Sequence, residues 1–176
     1  MSDKKVKVVP LISQREINKK VKELADRISK DYKGEILVIG ILKGAWVFMA
    51  DLVRRLRIPV RCDFLTLSSY GSSTQTSGVV KIVSDLTISI KGRDVLIVED
   101  IVDTGITLNY IKELLRLREP SSLKICALLD KPARHRTEIE IDYLGFTVPD
   151  KFVVGYGIDY DERFRNLPYI GYIEFD

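Results

Sequence analysis

Apolar residues along the first third of the chain recur at helical spacing. A capping box, Ser13-Gln14-Arg15-Glu16, opens a predicted amphipathic helix that continues to about Tyr32. The apolar positions that define its buried face are Ile17, Val21, Leu24 and Ile28. A second, mostly buried helix is predicted from Trp46 to Leu56, and Pro59 marks its end.

Shorter, nearly continuous apolar runs predict buried strands at 35–41, 60–67, 95–98 and 123–129. A helix is predicted from Thr107 to Leu117, between the last two strands. Such a β-α-β unit implies a parallel sheet with a right-handed crossover. The expected fold is α/β, with a doubly wound, mainly parallel sheet flanked by helices and with ligands at the carboxyl ends of its strands.

One polar stretch rich in small residues, from Ser68 to Gly78, has no core pattern. Its composition alone favours a plain mobile hairpin loop. Long loops without secondary structure are also often functional, so a lid that orders when ligand binds is the second interpretation. The residues leave both open.

Composition narrows the class of protein. The 176 residues suit one domain, and 45% hydrophobic with 30% charged residues is a soluble, globular balance. No apolar run is long enough to span a bilayer and the N-terminus has no signal-peptide pattern, so a cytoplasmic protein is expected. Cys62 and Cys126 are expected to be buried thiols. With His135 as the single histidine, acid–base chemistry falls to carboxylates, Lys or Tyr.

The stretch from Val95 to Leu108 joins an apolar strand to groups suited to a phosphorylated sugar. Glu99 and Asp100 place hard carboxylate oxygens at the strand end, which suit ribose hydroxyls and Mg²⁺. The residues from Asp103 to Thr107 can surround a phosphate with backbone N–H groups and hydroxyls at a helix N-terminus. Solvated acids beside an ordinary helix cap are the alternative. Three acids together with Thr-Gly-x-Thr favour a phosphate–sugar site.

This stretch resembles the phosphoribosyl-pyrophosphate motif of type I phosphoribosyltransferases, and its Glu-Asp-Ile-Val-Asp-Thr-Gly form is similar to that of the hypoxanthine-guanine branch. The resemblance implies that Glu99 and Asp100 bind ribose hydroxyls and Mg²⁺, and that Asp103 acts as general acid/base near purine N7. Adenine and orotate relatives usually have Ala in place of Asp103, so a 6-oxopurine substrate is implied. The implied 5′-phosphate loop consists of Asp103, Thr104, Gly105, Ile106 and Thr107, in which Ile106 contributes no charge.

The resemblance extends over nearly the whole chain. Lys43 and Gly44 match the family's pyrophosphate loop, which commonly has a cis peptide before the Lys. Ser69 and Tyr70 match the dipeptide of the closing lid. Lys131, in Leu-Leu-Asp-Lys-Pro, matches the residue that faces the exocyclic O6 of the base.

The last block lies near the C-terminus. The family pattern places Phe152 over the purine face and the Val153 backbone against the base edge. It implies that Asp159 binds a second Mg²⁺ through water and helps to close the base pocket, and that Arg165 contacts pyrophosphate.

The function implied is purine salvage: transfer of the 5-phosphoribosyl group from 5-phosphoribosyl-1-pyrophosphate to N9 of hypoxanthine or guanine, with Mg²⁺. The expected organisation is one domain over residues 1–176, with a hood from the N- and C-terminal segments and a lid at about 68–78. A homodimer or homotetramer is expected, with no nucleic-acid or membrane partner. Two alternatives stay open, a nucleotide-sensing RNA-binding regulator on this fold and a non-catalytic nucleotide-binding module.

Overall fold

Across the described residues, 6–69 and 80–175, the computed structural model contains three α-helices and nine strands, with a short 3-10 helix at Pro132–Arg134. In chain order they are β1 (Val6–Ile12), α1 (Gln14–Asp31), β2 (Ile36–Leu42), α2 (Trp46–Val53), β3 (Val60–Ser69), β4 (Val80–Ser84), β5 (Asp94–Val102), α3 (Ile106–Arg116), β6 (Ser122–Asp130), β7 (Tyr143–Thr147), β8 (Val153–Val154) and β9 (Ile170–Phe175).

Six strands form the central sheet in the order β4-β3-β2-β5-β6-β7. Neighbours pair in parallel, except that β4 is antiparallel to β3. After β2 the chain goes to β3 on one side, and β5 then lies on the other side of β2. The strand order therefore reverses between β2 and β5, which is where sheets of this kind bind ligands.

Both faces of the sheet are covered over its central strands, as their nearly continuous apolar runs predict. Alternate residues of β2 and β5 face opposite sides: Val38 and Leu96 pack in one hydrophobic cluster with α1 and α2, while Leu37 and Ile97 pack in another with α3. This confirms the expected fold class, a mainly parallel sheet flanked by helices.

The helix boundaries follow the sequence prediction with one difference. The capping box at Ser13 and Glu16 is formed, and α1 ends at Asp31. Helix α2 ends at Val53, three residues earlier than predicted. There Arg55 and Leu56 donate to carbonyls only three residues back, so the chain tightens into a turn before Pro59.

Two strands extend beyond their apolar runs. β5 continues through Glu99 and Asp100 to Val102, because β6 supplies parallel partners as far as Asp130. β3 continues to Ser69, which pairs with Val80 of β4, so the start of the polar 68–78 stretch is strand and not loop. Tyr70 and the rest of that stretch lie outside the described residues.

A small antiparallel sheet, β1-β9-β8, joins the N-terminal and C-terminal segments. None of its strands has a strong sequence pattern, and pairing between Val6 and Phe175 depends on bringing distant parts of the chain together. The sheet is built from the same N- and C-terminal segments to which the resemblance assigns a hood.

The two thiols differ. Cys126 is buried as predicted, but Cys62 is exposed, so that prediction is wrong. Phe64, two residues on and on the same face of β3, is also 42% exposed, so this part of the strand faces solvent. No helix in the described part of the chain is long and apolar enough to cross a membrane.

Candidate active site

Most of the residues singled out in the sequence lie at the carboxyl ends of β2 and β5 and in the loops that follow. Two adjoining cavities, of about 310 and 460 Å³, open there. Both are lined by Ile101 and Asp103. The carboxylate of Asp103 therefore stands between a cavity lined by the predicted phosphate loop and one lined by predicted purine-binding residues.

The smaller cavity is lined by most of the predicted phosphate loop. Gly105 has φ 78°, a left-handed conformation that favours glycine, and it caps α3 at Ile106. The amide of Ile106 donates to the hydroxyl of Thr104 at 3.4 Å, and the first turn of α3 presents its free N–H groups. The described lining includes Gly44, Glu99, Asp100, Asp103, Thr104, Gly105 and Thr107.

Glu99 and Asp100 are held by their own backbone. Asp100 N donates to Glu99 Oε1 at 3.1 Å, and Ile101 N donates to Asp100 Oδ1 at 2.8 Å. Burial, followed by the negative charge of Asp100, raises the pKa of Glu99 well above its ordinary value. A cation bound beside these two adjacent carboxyl groups would offset both the repulsion between their charges and the cost of burying them.

Gly44 follows the cis peptide Leu42–Lys43 and lies against Asp100. A Cβ atom on Gly44 would overlap the Asp100 carboxylate. The glycine therefore lets the loop after β2 approach the carboxylate at the end of β5.

The described residues contain no preformed group of three or more His, Cys, Asp or Glu side chains that could hold a metal ion. Glu99 and Asp100 nevertheless offer the hard oxygens that Mg²⁺ prefers, and Mg²⁺ is often held by one or two carboxylates together with substrate phosphates. The donor set therefore fits Mg²⁺ that arrives with a phosphorylated substrate.

Asp103 is the first residue of the predicted phosphate loop, and it also lines the cavity of about 460 Å³. Its Oδ1 is buried and accepts no hydrogen bond from the described residues. Arg134 Nε lies 2.7 Å away, in an ion-pair contact without hydrogen-bond geometry. An acceptor without a donor inside a cavity marks a place where a ligand proton would be held.

Lys131, directly after β6, is the most buried of the cationic residues that line this cavity, beside Arg134 and Lys151. It is only 7% exposed, and its amide donates to the carbonyl of Val102 at 2.9 Å. Burial lowers the pKa of Lys131, while the nearby charge of Asp103 opposes that shift. A buried ammonium group needs an acceptor, which a ligand oxygen would supply.

The other side of the cavity comes from the C-terminal segment. Phe152 is 49% exposed with its ring edge-on to Tyr160, and Val153 is buried in β8. Both oxygens of Asp159 are engaged: Oδ1 lies 2.9 Å from Arg165 and Oδ2 accepts from the amide of Glu162 at 2.9 Å.

The two predicted pyrophosphate cations are joined by a residue that the sequence does not reveal. Glu162 contacts Lys43 Nζ at 3.1 Å and an Arg165 terminal nitrogen at 3.2 Å. Hydrogen bonds from Lys43 and then Arg165 lower the pKa of Glu162. Arg165 also donates to the Gly157 carbonyl at 2.8 Å, but its Nε is buried without a partner in the described residues.

A larger cavity, about 650 Å³, lies behind this contact and includes Trp46 and Asp51 in its lining. Asp51 accepts a 2.6 Å hydrogen bond from Tyr156 and pairs with Arg54 and Arg55. The Asp51 carboxylate is therefore already satisfied, whereas Arg165, which also lines this cavity, has the buried Nε without a partner in the described residues.

Most of the predicted residues line the two smaller cavities. Lys43, Ile106 and Arg165 are not among the residues that line them: Arg165 lines the cavity of about 650 Å³, and Lys43 contacts Arg165 through Glu162.

The two predicted lid residues are a separate case. Ser69 ends β3, and Tyr70 lies outside the described residues. Sequence reasoning missed Arg134 and Glu162, because a charged residue in a charged loop has no local pattern that distinguishes it from a solvated one.

Comparison with known proteins gives one family and close relatives. The model of the phosphoribosyl transferase domain matches residues 11–161. The chain is 54% identical, over 93% of its length and 92% of the relative's, to the hypoxanthine-guanine phosphoribosyltransferase of Bacillus subtilis. It is 50% identical, over 92% of each chain, to the hypoxanthine phosphoribosyltransferase of Salmonella typhimurium.

A solved structure gives the same result. The crystal structure of a hypoxanthine-guanine phosphoribosyltransferase from Bacillus anthracis superposes with a TM-score of 0.90 at 44% identity, and the match covers 97% of this chain and 99% of that one.

Proposed function

This chain belongs to the phosphoribosyl transferase family, and on that premise we propose that it is a purine-salvage enzyme. It transfers the 5-phosphoribosyl group from 5-phosphoribosyl-1-pyrophosphate to N9 of hypoxanthine or guanine, with release of pyrophosphate. The relatives named above are phosphoribosyltransferases, so the RNA-binding regulator has no support among them.

The observation that carries this proposal is that Lys131 and Asp103 line the same cavity. Lys131 supplies a donor from a largely buried side chain, and Asp103 Oδ1 is a buried acceptor that meets Arg134 as an ion pair without hydrogen-bond geometry. A 6-oxopurine presents the complementary groups on one edge, since O6 accepts and N7–H donates. Phe152 offers its ring to the face of the base, and the Val153 backbone borders the base edge.

The ribose and its phosphate occupy the smaller cavity. The residues 103–107 hold the 5′-phosphate at the N-terminus of α3, where unpaired backbone N–H groups and the helix dipole favour an anion. Glu99 and Asp100 hold the ribose hydroxyls and Mg²⁺. Bound Mg²⁺ supplies charge neutralisation at the pyrophosphoryl oxygens.

In the reaction the C1–oxygen bond to pyrophosphate breaks and the C1–N9 bond forms, while the base loses one proton. Asp103 accepts that proton from N7. Lys43 and Arg165 neutralise the leaving pyrophosphate, and the orphaned Nε of Arg165 is a donor available for it. The carboxylates beside the ribose stabilise positive charge that develops at C1.

The proposal also covers the lid, the role of Asp159, and the location and assembly of the enzyme. The segment around Ser69 and Tyr70 acts as a lid that excludes water from the activated sugar. Asp159 closes the base pocket and contacts a second Mg²⁺ through water. The enzyme works in the cytoplasm as a homodimer or homotetramer, without a nucleic-acid or membrane partner, and residues 1–176 form a single domain.

The test is nucleotide formation by the purified chain with hypoxanthine or guanine, 5-phosphoribosyl-1-pyrophosphate and Mg²⁺. We expect both bases to react, activity to vanish in excess chelator, and added Mg²⁺ to restore it. Undiminished turnover with chelator would contradict the metal-assisted mechanism. If no nucleotide formed with hypoxanthine and none formed with guanine, the enzyme assignment would be contradicted and a binding module would be favoured.

A further inference from the structure

The segment after β6 is fastened directly to the phosphate loop. Lys131 N donates to the Val102 carbonyl at 2.9 Å, and Arg136 N donates to the Thr104 carbonyl at 3.0 Å. The two acceptor carbonyls lie on either side of Asp103 in the chain, and the two donor amides lie on either side of the 3-10 helix. The backbone around Asp103 and the backbone that carries Arg134 therefore keep a fixed separation.

Arg134 reaches across between these two bonds. Its Nε lies 2.7 Å from Asp103 Oδ1, and its Nη1 lies 3.5 Å from Asp150 Oδ1. The charges of Asp103 and then Asp150 raise the pKa of Arg134. Asp103, Arg134 and Asp150 all line the cavity of about 460 Å³. The guanidinium therefore links the carboxylate of Asp103 to the mouth of the proposed purine site.

The turn that presents Arg134 is itself anchored on its other side. Arg134 N donates to the Lys131 carbonyl at 2.9 Å, and His135 Nε2 lies 2.7 Å from Asp130 Oδ1. Asp130 is only 6% exposed, so this contact holds the turn against the end of β6. The backbone on both sides of the turn is thus held in place, and the Arg134 guanidinium lies between the carboxylates of Asp103 and Asp150.

A carboxylate that must accept a proton has to stay ionised and correctly aimed until the base arrives. Lys131 lies in the same cavity, but in the proposed reaction its ammonium group is engaged by O6 of the purine. Arg134 is then the cation that remains beside Asp103, and a guanidinium in a fixed position supports a carboxylate geometry better than solvent does.

We propose that Arg134 is a positioning residue: it holds the Asp103 carboxylate aimed at the purine proton. The inference rests on the proposed function, since it assigns the contact to the proton transfer at Asp103. Arg134 acts through Asp103 and not on the base itself.

A double-mutant cycle tests this. Arg134→Gln and Asp103→Asn are made singly and together, with Arg136→Gln as the matched control, because the described residues give the Arg136 side chain no hydrogen bond or ion pair. Asp103→Asn is expected to lower kcat by roughly 10²–10⁴-fold. Arg134→Gln is expected to lower kcat by roughly 10–100-fold, the scale of a misplaced catalytic group, with the KM for 5-phosphoribosyl-1-pyrophosphate within about twofold of the parent.

The decisive readout is the double variant. If Arg134 acts through Asp103, adding Arg134→Gln to Asp103→Asn changes kcat by no more than about twofold. An additive loss, or a raised KM for the base with kcat unchanged, would overturn the inference and make Arg134 a direct base contact. An equal loss of kcat in Arg136→Gln would also overturn it, since general charge on the segment would then explain the effect.

The kcat values of the two single variants distinguish failure of this inference from failure of the proposed function. Parental kcat in Asp103→Asn would remove the proton role from Asp103 itself, whatever Arg134→Gln does. A reduced kcat in Asp103→Asn together with parental kcat in Arg134→Gln would leave the proposed function standing and remove only the positioning role.

Discussion

The phosphate end and the purine end of the site share Asp103 but are built in opposite ways. One continuous run, residues 99–107, supplies most of the phosphate end, and much of its chemistry is backbone N–H at the start of α3. The purine end draws Lys131, Phe152 and Asp159 from separate segments. A site made of backbone N–H groups depends little on the chemistry of its side chains, such as the uncharged Ile106, but it cannot accommodate an added side chain in the space of the ligand. A site made of single side chains depends on each of them.

The largest expected effect concerns the purine end. Adenine should be a very poor substrate, since it places an amino donor where Lys131 needs an acceptor, and it carries no N1 proton for a backbone carbonyl to accept. We expect kcat/KM for hypoxanthine to exceed that for adenine by ~10⁴, the scale reached when buried polar groups are left unpaired. Measurement uses identical Mg²⁺ and 5-phosphoribosyl-1-pyrophosphate for each base.

The preference should also depend on pH. Because burial lowers the pKa of Lys131, the charged donor is present below that lowered pKa and is lost as pH rises through it, earlier than for an ordinary lysine. Discrimination should therefore weaken at alkaline pH. Adenine within tenfold of hypoxanthine at neutral pH would refute the role of Lys131.

At the proposed phosphate end, activity should be lost when a side chain is added next to the Asp100 carboxylate. Gly44→Ala places a methyl group in the space of the Asp100 carboxylate, which must move away from the ribose and metal position. A displacement of this kind is expected to lower kcat/KM for 5-phosphoribosyl-1-pyrophosphate by roughly 10²-fold. The control is Gly34→Ala, since an added Cβ there meets nothing within 4 Å. Equal activity of the two variants would show that Gly44 is not needed at the carboxylate.

The smallest expected effect lies where the leaving group would bind. Glu162 occupies Lys43 and Arg165 together, so an incoming pyrophosphate has to displace it. Exposed ion pairs contribute little, so Glu162→Gln should tighten inhibition by pyrophosphate by only about two- to fivefold. Asp161→Asn, which changes the same charge one residue earlier, should leave it unchanged. Weaker inhibition in Glu162→Gln would mean that Glu162 instead holds Arg165 in place.

This bridge should depend on pH in a definite direction. The lowered pKa of Glu162 means that the carboxylate stays ionised at neutral pH, and that the bridge is lost only as pH falls through that lowered value. The difference between parent and Glu162→Gln should therefore be largest near neutral pH and should shrink in acid, when both side chains are uncharged.

Local patterns determined much of this protein. The helical spacing from Ile17 to Ile28 and the capping box at Ser13 were sufficient for α1, because an amphipathic helix needs only its own residues to define its buried face. The run from Val95 to Thr107 likewise predicted a strand, a glycine turn and a helix start in one place, because its ligand-binding groups are consecutive. Buried strands and the parallel β-α-β unit followed from continuous apolar runs.

Tertiary structure decided the rest, because it depends on groups that are distant in sequence. Strand β5 extends past its apolar run since β6 provides partners, and Cys62 is exposed since nothing covers that part of β3 in the described residues. The contacts of Arg134 with Asp103 and of Glu162 with Lys43 and Arg165 join charged side chains that look solvated one by one. A single charged residue carries no periodic signal, so only the folded arrangement shows which partner it meets.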